Sequence, residues 1–204
     1  MKTLQRIVAA FLISSAVWIS VYFWYVRPLH MRWGATADEI ALGLPGDFFY
    51  PPNANTSTRA ITIHAPPSVV WQWLVQMGQR RGGFYSYTWL ENLFAADMHN
   101  ADRIQPEYQT LNRGDRLSLQ EKGPTVTVTL LYPDQALCFG GWTFALIPVG
   151  AETTRLIVRY PSTDVETGRM NRWLYYGIFE PAHFVMESGE MLGVKARAEG
   201  RIGQ

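Results

Sequence analysis

The sequence predicts an α+β domain, one antiparallel sheet wrapped round a long C-terminal helix, preceded by a single transmembrane helix. Three observations predict it. An uncharged run, Ile7–Val26, lies between Arg6 and Arg27. Between residues 116 and 160, short apolar runs recur at regular spacing, punctuated by Gly123-Pro124, Pro133-Asp134 and Pro148–Gly150. A long helical pattern then extends from about Gly168 to Ala198. A lone curved sheet must cover its apolar face, and the last helix is the available cover. A sheet wrapped round a helix that it cannot fully contact leaves a cavity between the two.

The apolar run sets the location. As a helix rising about 1.5 Å per residue it spans roughly 30 Å, the thickness of bilayer hydrocarbon. Its polar breaks are Ser14, Ser15 and Ser20, whose hydroxyls can bond back to helix carbonyls. Trp18, Tyr22, Trp24 and Tyr25 crowd its second half, and such rings favour the headgroup level. The alternative is a cleaved signal peptide with Lys2 and Arg6 as its basic start. Against it, the run exceeds the usual apolar core of about 7–15 residues. The small-residue triplet Ala35-Thr36-Ala37 lies well past it, behind Arg27, His30 and Arg32. Basic residues flank both sides, so the positive-inside rule assigns no orientation.

The remaining elements follow in order. Thr36 with Glu39 three residues on reads as a capping box for a short helix through Leu42, stopped by Gly43, Pro45 and Gly46. Pro51, Pro52 and Asn53–Ser57 read as an extended linker. The expected organisation is an anchor over 1–34, a linker with a short helix over 35–57, and one domain over 58–204. In the strand RAITIHA, Ile61 and Ile63 alternate with Ala60, Thr62 and His64. Pro67 then suits the first turn of a helix that places Val70, Trp73, Leu74 and Met77 on one face, with Gly78 as its stop. An irregular aromatic segment comes next, with a helical turn or two expected over Thr88–Phe94 and another starting at Pro106. The strands of the meander are Arg116–Leu119, Thr125–Tyr132, Ala136–Phe139, Trp142–Ile147 and Thr154–Tyr160. In the second, Val126, Val128 and Leu130 form a dry face and Thr125, Thr127 and Thr129 a wet one. In the last helix Leu174, Ile178, Val185, Met186, Leu192 and Ala196 form an apolar stripe, and Pro181 is expected to kink the helix or begin a second one.

Composition narrows the function classes. Lys and Arg number 18 and Asp and Glu 17 in 204 residues, so the chain lacks the basic surface that nucleic acid requires. A single cysteine, Cys138, excludes an internal disulfide, and its apolar strand context reads as a small buried hydrophobe. Eight Trp, ten Tyr and ten Phe in one small domain point to a large apolar interior or an aromatic-lined cavity.

The stretch RAITIHAPPSVVWQWL, a strand, then Ala-Pro-Pro, then a helix with Val-Trp at its centre, resembles the opening of START-like (SRPBCC) proteins. That superfamily includes steroidogenic-regulatory lipid-transfer domains, pollen-allergen-type proteins and aromatic polyketide cyclases. WLVQMG, RGGFYSYTWLENL, MHNADRI and EPAHFVME resemble a bacterial branch of it. That branch also carries an N-terminal hydrophobic segment and a sequence like Trp33-Gly34-Ala35-Thr36. The resemblance covers nearly the whole chain. It implies a helix-grip fold with an apolar ligand cavity and a single-pass protein of the bacterial inner membrane. It supplies no reaction, because fold alone does not fix function.

Candidate chemistry concentrates in three places. His99-Asn100-Ala101-Asp102-Arg103 is a dense polar cluster in an apolar neighbourhood. Either His99 is a general base with Arg103 binding an oxyanion, or the cluster ties down an irregular loop. Glu180, His183 and Glu187 share one face of the last helix. Glu-x-x-His is a metal-ligand spacing, but bundle sites use it in duplicate and one copy exists here, so no metal is expected. The face either lines the cavity or meets solvent. Phe84-Tyr85-Ser86-Tyr87-Thr88-Trp89 reads as a cavity wall or as loop packing. Gln79-Arg80-Arg81-Gly82-Gly83 follows a helix where a phosphate loop would precede one, so nucleotide binding is not expected. The reading is a membrane-anchored domain that binds a hydrophobic small molecule or lipid without a cofactor. Its expected ligand-binding residues are Tyr85, Tyr87, Trp89, His99, Trp142, Phe144, Glu180, His183 and Glu187. The alternative is a cyclase or dehydratase acting on a polyketide-like substrate, with His99, Arg103 and His183 as candidate catalytic residues.

Overall fold

The structure, a computed structural model, describes residues 2–51, 54–93, 96–162 and 171–202. Helix α1 (Lys2–Met31) is continuous, with a π-helical turn over Tyr22–Val26. It is long and apolar enough to cross a membrane, and its most apolar stretch is entirely unburied. Pro28 falls in the first turn after the π segment, where its missing N–H disturbs the ladder least. Helix α2 (Ala37–Ala41) carries the expected capping box. The Glu39 amide donates to Thr36 Oγ1 at 3.2 Å, and the Thr36 amide donates to Glu39 Oε2 at 2.8 Å.

Six strands form one antiparallel sheet: β1 (Thr56–Ile63), β2 (Arg116–Ser118), β3 (Thr125–Tyr132), β4 (Ala136–Phe139), β5 (Trp142–Gly150) and β6 (Thr153–Pro161). Their order is β1-β6-β5-β4-β3-β2, so the first strand pairs with the last, from Thr56 opposite Pro161 to Ile63 opposite Thr154. Helices α3 (Pro67–Val75) and α4 (Thr88–Leu93) fill the connection between β1 and β2. Helix α5 (Glu180–Ala198) is entered through a turn at Arg172–Leu174 and a π segment at Tyr175–Phe179. The expected helix start at Gly168, the expected helical residue Phe94, and linker residues Pro52 and Asn53 lie outside the described residues. The arrangement is the predicted α+β architecture, a six-stranded antiparallel sheet with a long C-terminal helix.

The sheet buries both faces. On the inner face, Ile61, Ile63, Leu137, Phe139, Phe144, Leu146, Leu156 and Val158 pack against Val70, Trp73 and Leu74 of α3 and Met191 and Val194 of α5. On the outer face, Ala60, Ala145 and Ile157 meet Leu44 and Ala35. The stretch expected as a linker is tied down there. Arg159 Nη1 donates to Asp47 Oδ2 at 2.6 Å, and its guanidinium takes the carbonyls of Glu39, Ile40 and Leu42 at the end of α2. Arg155 Nε pairs with Glu39 Oε1 at 2.6 Å. A planar fork of donors suits these clustered carbonyls and carboxylates.

Two expectations are corrected. Val128 and Leu130 were expected on one dry face, but a bulge between them shifts the register. Val128 therefore joins the inner core, while Leu130 packs with Ala136 and Cys138 in a separate cluster. The apolar stripe expected to bury the last helix is largely outside: Leu174, Ile178, Val185 and Leu192 are exposed. The buried face instead carries Glu187, Gly189, Glu190, Met191, Val194 and Arg197. Glycines set this rotation. A Cβ at Gly193 would lie 2.0 Å from the Tyr85 carbonyl oxygen, and one at Gly189 would lie 2.7 Å from the Tyr87 ring. Pro181 lies in the first turn of α5, which begins at Glu180 directly after the π segment, so it starts a second helix as one of the two expected outcomes.

Candidate functional site

Between α5, the sheet and the segment 84–98 lies a cavity of about 220 Å³. Phe139 and Trp142 form its sheet wall, Phe84, Ala96 and Met98 close it from the connecting segment, and Leu119 closes it from the turn after β2. Helix α5 contributes His183, Met186, Glu187 and Glu190, which recur at three- and four-residue spacing and so share its inward face. Glu91 enters from α4.

A buried ion pair holds the rear of this site. Arg59 projects from β1 on the same parity as Ile61 and Ile63, and its Nη1 donates to Glu187 Oε1 at 2.6 Å with both side chains inaccessible. Arg59 Nε also donates to the His30 carbonyl at 2.8 Å, and its guanidinium lies 5.2 Å over the Phe184 ring. Trp142 Nε1 donates to Glu187 Oε2 at 3.0 Å. His183 Nε2 lies 3.4 Å from that same oxygen, at ion-pair distance without hydrogen-bond alignment. Its ring stacks on Phe179 and packs against Trp142 and Tyr160. Burial pushes the His183 imidazole below its ordinary value, and Glu187 only partly opposes that, so the neutral ring is favoured.

The other two carboxyls have no cation. Burial pushes Glu190 well above the carboxylate range, and Glu187 and Glu91 push it further. Burial alone pushes Glu91 up to about 7, and its Oε2 is buried without a hydrogen-bond partner. The site thus holds one carboxyl paired with Arg59 and Trp142 and two acids inclined to keep their protons.

The predicted residues distribute unevenly. Trp142, His183 and Glu187 come together at the cavity. Phe144 sits behind it in the core, stacked 5.3 Å from Phe139. Tyr85 is buried away from it, its hydroxyl donating to the Trp73 carbonyl at 3.0 Å under the Arg197 guanidinium. The Tyr87 ring packs on Gly189 with one side in solvent, and Trp89 is exposed. Glu180 turns away from His183 and is held by Arg27 of α1 at 2.8 and 2.9 Å. The Glu180–His183 spacing therefore forms no ligand pair. Among the described residues no group of three or more His, Cys, Asp or Glu is placed to hold a metal ion.

His99 and Arg103 are not brought to the cavity. His99 is 82% exposed and contacts Asp97, and Arg103 is on the surface. The cluster ties down the loop instead. Asn100 Oδ1 accepts from the Tyr85 amide at 2.8 Å, while its Nδ2 donates to the Ser86 carbonyl and Thr88 Oγ1, each at 3.0 Å. Asp102 meets Arg197 at 3.3 Å. One short loop residue thus positions the whole aromatic segment against α5.

The fold is a helix grip. Among solved structures, the chain is similar to the Zhui aromatase/cyclase from Streptomyces sp. R1128, with a TM-score of 0.41 and 17% identity over 73% of this chain and 96% of that one. It is also similar to the conserved protein EF2215 from Enterococcus faecalis, with a TM-score of 0.42 and 14% identity over 72% of each chain. A third is the Polyketide_cyc-like protein Cgl2372 from Corynebacterium glutamicum, with a TM-score of 0.32 and 14% identity over 72% of this chain and 84% of that one. No protein-family model matches the chain, and no curated protein matches it. These are likenesses of fold, and no activity passes to this chain through them.

Three site residues escaped the sequence reading: Arg59, Glu91 and Glu190. Two left a signal. Arg59 occupies the dry parity of its strand, where a charge needs a buried partner. Glu190 continues the face of His183 and Glu187 by one more turn. Glu91 left no signal beyond its place in an aromatic run.

Proposed function

We propose that this chain is a membrane-tethered domain that binds a small hydrophobic molecule in the cavity beneath α5. The observation that carries the reading is a cavity of about 220 Å³ with aromatic and Met walls and a few buried acids. Apolar walls with sparse polar groups are what ligand sites share. Size sharpens the ligand. A cavity of ~150 Å³ admits benzene, and drug-sized ligands occupy ~300–1,000 Å³. The cavity therefore fits a compact molecule or a short apolar chain, not a whole two-chain lipid.

The tether rests on α1 and on the face beside it. Trp24 and Tyr25 of α1 are exposed, as are Trp173, Leu174 and Ile178 at the entry to α5. Arg27 and Glu180 join the two helices, and Phe23 meets the Tyr176 ring edge-on at 5.4 Å. Exposed rings and aliphatic side chains grouped at the end of an apolar helix suit a headgroup layer. The boundaries 1–34, 35–57 and 58–204 are part of this proposal, with 35–57 held against the sheet.

The test is native mass spectrometry of the full chain released from membranes in mild detergent, against the cavity-filling variant Ala96→Phe. The expected result is a small non-covalent adduct on the wild type that the variant lacks. No adduct, or the same adduct on both, would sink the proposal. Retention of the chain in membranes washed with alkaline carbonate tests the tether; release by that wash would remove it from the reading.

A second reading, acid–base catalysis on a polyketide-like substrate, is favoured by the two raised acids facing one cavity, since perturbed carboxyls cluster at acid–base sites. Its groups would be Glu91, Glu190 and His183. A catalyst returns the bound molecule with altered mass, whereas a carrier returns it unchanged.

A further inference from the structure

Resting on the reading that the cavity takes a small apolar molecule, we propose that this molecule carries a protonated amine. The carboxyl groups of Glu91 and Glu190, one of them ionised as the amine binds, hold it against the aromatic walls. Several acids face the cavity. Among the described residues its lining includes Glu91, Glu187 and Glu190 and no Lys or Arg. Arg59 reaches Glu187 from the strand behind and is fully engaged there at 2.6 Å, with Trp142 donating to the other oxygen. That leaves Glu91 and Glu190, each only 8% exposed, facing the space without a cation. Glu91 Oε2 is buried with no hydrogen-bond partner of any kind.

Each ligand class meets a different reception. A ligand carboxylate would be desolvated with no Lys or Arg among the described lining residues to pair with, keeping only hydrogen bonds from the protonated acids. A neutral alcohol exchanges hydrogen bonds with a protonated carboxyl but brings no charge. An ammonium brings up to three donors and the missing charge, and charge-assisted hydrogen bonds are about twice as strong as neutral ones. The faces of Phe84, Phe139 and Trp142 suit the same group, because ring quadrupoles attract cations most when water is excluded. A hydrated metal ion does not fit walls this apolar.

The proton balance follows from the groups around Glu190. Glu187 and His183 lie on its own helix, Glu91 faces it from α4, and Arg59 stands beyond Glu187. In the empty cavity both free acids favour their protonated forms. An arriving ammonium stabilises the carboxylate, so one carboxyl proton leaves to solvent as the ion pair forms.

The experiment titrates the full chain, in a neutral detergent at pH 6.5, with three probes on one frame: phenethylamine, phenethyl alcohol and phenylacetate. The expected result is at least tenfold tighter binding of the amine than of the alcohol, with no binding of phenylacetate. Calorimetry in buffers of different ionisation enthalpy should show proton release with the amine alone. In Glu91→Gln and Glu190→Gln the ratio of amine to alcohol affinity should fall towards one. Alcohol binding as tightly as amine, or phenylacetate binding best, overturns the amine and leaves the cavity reading standing. Binding of no probe overturns both, and amine binding that survives in Ala96→Phe lies outside the cavity and overturns the amine site.

Discussion

Arg59 and Glu187 show how much one pair of residues commits the chain to. Both are inaccessible, and each is the other's ion-pair partner at 2.6 Å. Removing the cation alone strands a buried carboxylate. Arg59→Met should therefore lower stability by about 3–5 kcal/mol in detergent denaturation, whereas Arg59→Met with Glu187→Met should recover most of it. A double variant no more stable than the single one would contradict this. Glu91 is the opposite case, a buried acid without a partner. Its folded pKa of about 7 stands above its ordinary 4.5. Below pH 4.5 both states are protonated and burial carries no penalty. From there to about pH 7 the unfolded chain ionises while the folded one keeps its proton, so stability falls as pH rises and levels off above 7. Glu91→Gln removes that slope. It should match the wild type near pH 4 and exceed it at pH 8 by about 2 kcal/mol once solvent screening is allowed for, or roughly 4–8 °C in Tm. Scans at the two pH values check it.

At the scale of elements, what the sequence made legible was whatever local chemistry decides. The Thr36–Glu39 capping box, Pro67 at the head of α3, and the strands between Gly-Pro and Pro-Asp turns all formed where expected, because caps and turns act within a few residues. The rotation of α5 was not legible. Leu174, Ile178, Val185 and Leu192 make as good a stripe as the face that is actually buried. The choice is tertiary: Gly189 and Gly193 admit the Tyr85–Tyr87 backbone and rings, Arg59 arrives from β1 to meet Glu187, and Arg197 of α5 itself turns in to reach Asp102 of the loop. The bulge at Val128–Leu130 escaped for the same reason, since alternation is uninterrupted in the sequence. Gly193→Ala tests the close approach. With its Cβ 2.0 Å from a backbone oxygen the helix must shift, and a loss of about 1–3 kcal/mol is expected despite the better helix propensity of Ala. Unchanged thermal unfolding would show that α5 does not depend on that contact.

Across the whole molecule, the outward stripe and the inward acids describe a single division of surfaces. Trp173 and Tyr176 at the entry to α5 lie beside Phe23 and Arg27 of the apolar helix α1, and the Arg27–Glu180 pair fastens the two helices. Glu187 and Glu190 of α5 meet Glu91 at one cavity, where the sequence reading expects Glu187 but not Glu91 or Glu190. His99 and Arg103 looked chemical because they are polar among apolar neighbours; the chain uses Asn100 there to fix a loop, a role that spacing cannot distinguish from catalysis. The most direct test of a binding cavity is methyl NMR of the full chain with 13C-labelled methionine, titrated with toluene. Met98 and Met186 line the cavity, while Met31 and Met77 are buried elsewhere. Saturable shifts are expected at Met98 and Met186 with Met31 and Met77 unmoved; no shift at the first pair, or equal shifts at all four, would contradict a binding cavity.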